Sequence, residues 1–261
     1  MTRIIALVNQ KGGVGKTTTS INLSASLGKL GKKTLLVDLD QQGNATTGLG
    51  LNKGNLKSSS YEVLTGRADI KDAIIRTKFK NLYVLPANIN LAGIDMELMQ
   101  MEYANQEFKK NEQLKKALVT IDGAFDYVII DCPPSLGLNT INALVAANAV
   151  IIPVQCEFYA LEGVAQLLNT IIMTQTKLNP DLQIEGVLLT MLDSRTNLGL
   201  QVVEEVRKFF GDKTFNTIIP RLVRLVEAPS HGLPINEYDP LCRATEAYYN
   251  LAKEVIDRDG N

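Results

Sequence analysis

One stretch constrains this chain more than any other: Asn9, Gln10, Lys11, Gly12, Gly13, Val14, Gly15, Lys16, Thr17, Thr18. An apolar run at residues 4–8 precedes it and reads as a buried parallel strand. A helical pattern carrying Ile21, Leu23, Ala25 and Leu27 follows it. Strand, glycine-rich loop and helix in that order are the context a phosphate-binding loop requires. The glycines let the backbone curl until several N–H groups point inward. The loop ends at a helix N-terminus, where the dipole favours anions. In this reading residues 11–18 hold a nucleotide, Lys16 brings positive charge to its β- and γ-phosphates, and the Thr17 hydroxyl ligates Mg²⁺. The plain alternative is a glycine turn with a surface lysine, and the flanking strand and helix argue against it.

Residues 33–38 form a second apolar strand, reached through that helix and a turn at Gly31. A helix between apolar strands signals a βαβ crossover and a parallel sheet. Further strands are expected at residues 82–86, 126–131, 149–154, 184–190 and 217–220. Short helices are expected at 61–64 and 70–75, and one long helix over 91–118. Others cover 139–147, 164–176, 200–210 and 243–256. The fold class is therefore α/β: a doubly wound, mainly parallel sheet with helices on both faces, as in P-loop nucleotide hydrolases. No repeat or linker divides the 261 residues, so residues 1–261 are read as one domain.

Ligands of such sheets lie beyond the carboxyl ends of the strands, and three acids stand there. Residues 126–131 are apolar and end in Asp131, the pattern in which the acid organises Mg²⁺ at a strand tip. Asp38 and Asp40 follow the second strand. One of them can hold water ligands of Mg²⁺ or orient an attacking water. The other is a helix-capping or lysine-pairing acid.

The loop departs from the general phosphate-loop string. Gln10 stands where the first glycine belongs, and a second lysine, Lys11, follows it. Lys11-Gly-Gly-Val-Gly-Lys-Thr17 resembles the deviant Walker A loop of the superfamily holding ParA/Soj partition ATPases, MinD, arsenite-pump ATPases and the nitrogenase iron protein. The resemblance implies ATP and Mg²⁺ as cofactors, and an ATP-dependent homodimer in which Lys11 reaches the partner's nucleotide. It picks Asp40 for the hydrolytic role beside Lys11 and Lys16, with Thr17, Asp40 and Asp131 around the metal. The family commonly has proline after the catalytic acid. Gln41 stands there in this chain, which loosens the loop.

Asp131-Cys-Pro-Pro-Ser-Leu-Gly137 resembles the family's segment after the Walker B acid, and residues 153–163 resemble the ParA/Soj branch specifically. Residues 221–232 resemble the ParA/Soj segment that flanks the nucleobase and reaches DNA. Met191, Pro220 and Leu222 are the expected base contacts, Leu222 standing where asparagine is common. The resemblance assigns Arg195 and Arg224 to non-specific double-stranded DNA. Arg221 shares an acid-free segment with Arg224. It also implies a ParB-like activator, slow intrinsic hydrolysis, and a cytoplasmic, nucleoid-associated protein acting in chromosome or plasmid segregation.

Net charge bears on that partner. It is −1, so DNA must be met by a local patch. Two or three arginines neutralise few phosphates, each changing the salt slope by about −0.9. Dimerisation doubles the patch. A membrane-associated division-site ATPase like MinD is the alternative, but residues 254–261 lack the cations of a membrane-inserting helix. An iron–sulfur component needs cysteines bridging a dimer axis. Of Cys132, Cys156 and Cys242, only Cys132 lies beside a site motif. The three read as small hydrophobes of a reducing compartment.

Overall fold

The computed structural model describes residues 2–157, 160–161 and 163–259. Phe158, Tyr159 and Glu162, within the stretch that resembles the ParA/Soj branch, lie outside the described residues. Seven strands form one sheet: β1 (Arg3–Leu7), β2 (Thr34–Asp38), β3 (Ile75–Arg76), β4 (Leu82–Leu85), β5 (Tyr127–Asp131), β6 (Ala149–Gln155) and β7 (Gln183–Thr190). Their order is β3-β4-β2-β5-β1-β6-β7, and every pairing is parallel except β3 with β4. From β1 the chain winds one way through β2 to β4, returns to insert β5 between β2 and β1, then winds the other way through β6 and β7, as in a doubly wound sheet.

The helices in chain order are α1 (Lys16–Lys29), α2 (Asn44–Gly48), α3 (Ser60–Leu64), α4 (Ile70–Ala73), α5 (Ile94–Ala104) and α6 (Gln113–Val119). They continue with α7 (Leu138–Ala146), α8 (Val164–Lys177), α9 (Asn197–Phe210), α10 (Arg224–Glu227), α11 (Ile235–Tyr238) and α12 (Arg243–Asp259). Alternation along the strands splits the core in two. Ala6, Val37, Val128, Ile130 and Ile152 face the layer that includes α5 to α9. Ile5, Leu7, Leu36, Ile129 and Ile151 face the layer of α1 and α12. Both faces of the central strands are thus covered, which is why they read as unbroken apolar runs.

Three sequence expectations need correction. The expected long helix over 91–118 is two helices. α5 stops at Asn105, whose extended backbone (φ −140°) ends it. Asn142 of α7 then pins the start of α6, accepting from Leu114 N–H at 3.2 Å and donating to the Lys110 carbonyl at 2.8 Å. The expected strand at 217–220 is absent; only single bridges join Val187 to Thr214 and Leu192 to Pro220. Pro220 has no N–H to extend a ladder. The seventh strand is instead β3, where the expected helix over 70–75 ends at Ala73 and Ile75 pairs with Val84.

Candidate nucleotide site

The phosphate loop joins β1 to α1 at the carboxyl edge of the sheet. Asn9, buried there, holds its entry. Its Nδ2 donates to the Pro153 carbonyl at 2.8 Å, and its Oδ1 accepts from Lys11 N–H at 2.9 Å. Thr190, at the end of β7, holds the middle by donating to the Val14 carbonyl at 2.9 Å. Gly15 caps α1 in the left-handed region at φ +87°, where a side chain is strained. Gln10 donates to the Gly163 carbonyl at 3.0 Å, so the residue replacing the usual glycine anchors the start of α8.

The two lysines go separate ways. Lys16 is buried and folds over its own loop, its Nζ donating to the Lys11 carbonyl at 3.0 Å. Burial lowers its pKa first; Asp131, Cys132 and Asp40 pull it back up. Lys11 points to a different cleft, shared with Gln10, Pro134, Ser135, Leu136 and Gln166. Its ammonium has no ion pair among the described residues.

A cleft of about 460 Å³ opens over the loop. Gly12, Gly13, Gly15, Lys16, Thr17, Thr18, Asp40 and Met191 line it, with Gln42, Asn44 and Pro134. Beneath it, Asp38 and Asp131 sit opposite one another in the β2–β5 register, both fully buried. Desolvation raises both carboxyls, and the coulombic effect of Asp38 adds to the rise at Asp131. Asp131 Oδ1 accepts from Ser20 at 2.9 Å, and the Thr17 side chain lies close to this carboxylate. Oδ2 is buried with no partner. An orphaned carboxylate oxygen beside a serine and a threonine hydroxyl, under a lysine, fits an oxygen-seeking divalent cation such as Mg²⁺. Cys132 is also buried, and burial pushes its thiol up, the reverse of what thiolate ligation needs.

An apolar cleft of about 560 Å³ adjoins the first. Met191, Pro220 and Leu222, the expected base contacts, line it together, with Ile219, Leu225 and Pro229. Met191 lines both clefts and holds a positive φ of 55°, uncommon for a non-glycine residue. Sequence reasoning missed Ser20, Asn44, Thr190 and Tyr248. Ser20 lies one helical turn past Lys16 and Thr17, a spacing that places it on their face. Thr190 and Tyr248 come from distant parts of the chain, and no local pattern marks them.

The three arginines all meet acids, some close in sequence and some brought in by the fold. Arg195 is clamped by Asp193 at 2.8 and 2.7 Å. Arg224 pairs with Glu227 at 3.2 Å and Asp239 at 3.6 Å, and Arg221 approaches Glu157 at 3.9 Å. All three side chains are more than half exposed, so these pairs are weak and open to exchange.

A doubly wound sheet with a phosphate loop, a strand-tip acid and an apolar base cleft defines a P-loop nucleotide-binding protein. Residues 2–184 match a family described as an AAA domain. The sporulation initiation inhibitor protein Soj of Bacillus subtilis is 58% identical over 98% of this chain and 98% of its own. The chromosome-partitioning ATPase Soj of Treponema pallidum is 50% identical over 100% and 99%. A structure of a cobyrinic acid a,c-diamide synthase from Mycobacterium smegmatis, with bound ATP analog and magnesium, superposes with a TM-score of 0.86. It is 39% identical, over 100% of this chain and 97% of that one. The chain belongs to the Soj/ParA family of chromosome-partitioning ATPases.

Proposed function

We propose that this protein is a Mg²⁺-dependent ATPase that dimerises on ATP, binds double-stranded DNA without sequence preference, and drives chromosome or plasmid segregation. The observation that carries the reading is the divergence of the two lysines. Lys16 closes on its own loop, whereas Lys11, half-buried, lines a separate cleft with no ion pair among the described residues. A loop lysine turned away from its own cleft suits a neighbour's phosphates.

The residues divide the work as follows. The N–H groups of residues 12–18 and the N-terminus of α1 cradle the phosphates. Lys16, buried beside Asp131 and Asp40, stabilises negative charge developing at the γ-phosphate. Thr17 and Asp131, with Asp40 nearby, would hold Mg²⁺, which would supply neutralisation of phosphate charge. Asp40 orients the attacking water. Met191, Pro220 and Leu222 pack on the base. Lys11 enters from the partner, so the site is complete only in the dimer and intrinsic turnover is slow. A ParB-like partner accelerates hydrolysis, and loss of the γ-phosphate releases the dimer from DNA.

ATP binding doubles the arginine patch and exposes Arg195, Arg221 and Arg224 to competition between their acids and DNA phosphates. The reading places the protein in the cytoplasm on the nucleoid. Membrane attachment is disfavoured by α12, whose Tyr248, Leu251, Ala252 and Val255 are spent in the core. Among the described residues no helix is long and apolar enough to cross a membrane. The test is DNA retention with ATP, ADP and no nucleotide. Retention confined to ATP and steeply salt-dependent is expected; equal retention in all three states contradicts the switch.

A further inference from the structure

Asp38 lies fully buried at the tip of β2, two residues before Asp40. The mechanism gives it no contact with nucleotide, yet its carboxylate collects three hydrogen bonds. Oδ2 accepts from Thr46 N–H at 2.8 Å and from the Thr46 hydroxyl at 2.7 Å. Oδ1 accepts from Asp40 N–H at 3.1 Å. The first two fall in the first turn of α2, the helix that brings Asn44 to both clefts. The third falls on the peptide that carries Asp40.

That peptide is gripped at its other end as well. The Leu39 carbonyl accepts from Asn139 Nδ2 at 3.1 Å. The Leu39 N–H donates to the Asp131 carbonyl at 3.0 Å, extending the β2–β5 ladder past the strand. Thr46 is fixed in turn, its hydroxyl accepting from Ala87 N–H at 2.9 Å. A carboxylate suits the hub position, because both its oxygens only accept and charge-assisted bonds are the stronger ones.

We infer that Asp38 is a positioning residue for hydrolysis, fixing Asp40 and α2 as one unit at the phosphate cleft. The inference rests on the assignment of Asp40 to the attacking water. Gln41 sharpens it: without the ring of a proline after Asp40, backbone direction there depends on hydrogen bonds. Misplacing a catalytic group by about 1 Å costs on the order of 100-fold in rate.

The test uses the full chain with Mg-ATP and compares Asp38→Asn with Thr46→Val. Asp38→Asn keeps the volume and turns one acceptor into a donor facing a donor. It should lower kcat by about 10- to 100-fold while ATP Kd stays within about threefold. Its Tm should hold or rise, because a buried charge is removed. Thr46→Val should lower kcat less, with Kd unchanged. In an Asp40→Ala background, adding Asp38→Asn should leave the residual single-turnover rate unchanged, since both act through one group. Unchanged kcat in Asp38→Asn overturns the inference. So does a parallel fall in Tm, kcat and affinity, or recovery of kcat on raising Mg²⁺. Asp40→Ala alone separates the two readings: parental turnover in that variant sinks the Asp40 assignment itself.

Discussion

Burial holds the Asp131 carboxyl above its ordinary value of 3.8, through desolvation first and the nearby Asp38 charge second. A raised folded value means the ionised acid opposes folding. The penalty is absent below about pH 4, grows as pH rises, and levels off near pH 7, to which the group is pushed. Asp131→Asn should therefore stabilise the nucleotide-free protein at neutral pH by at least about 1 kcal/mol, some 2–4 °C in Tm. The gain should vanish near pH 4. Melting curves of both proteins across pH check this, and the same variant should have lost ATP hydrolysis. Arg224→Glu belongs to the same scale. Removing one phosphate contact from each protomer should flatten the log–log salt slope of DNA binding by about 1.8. ATP turnover without DNA should be unaltered. A salt titration with an unchanged slope would remove Arg224 from the patch.

Among the elements, the central strands were legible because burial on both faces makes them continuous apolar runs. β1, β2, β5 and β6 lie within a residue or two of where the pattern puts them. The misses share a cause. β3 has two residues, too few for any period, and the break between α5 and α6 is pinned by Asn142 from a distant helix. Pro220 sits in an apolar stretch that reads as a strand but cannot donate to one. The site followed the same rule. The loop and the strand-tip acids are local strings, whereas Asp239 beside Arg224, Glu157 beside Arg221 and Asn139 beside the Leu39 carbonyl come from distant segments. α12 carries a prediction here. Leu251, fully buried against the α1 side of the sheet, should cost about 2–5 kcal/mol when replaced by alanine. Urea unfolding measures it; a loss under 1 kcal/mol would mean α12 is not part of the core.

For the whole molecule, the fold places Lys16, Thr17, Asp40 and Asp131 at one edge of the sheet, while Lys11 lines a separate cleft. On the proposed reading, ligand binding at that edge involves two copies, with Lys11 serving the neighbour's nucleotide. On that reading ATP is a cross-link whose strength depends on the γ-phosphate, and the proposed DNA patch inherits that dependence through doubling. The most direct test is light-scattering mass with saturating ATP in an Asp40→Ala background, with and without Lys11→Ala. The account predicts a dimer for the single variant and a monomer with ATP still bound for the double. A dimer of unchanged affinity in the double variant would contradict it.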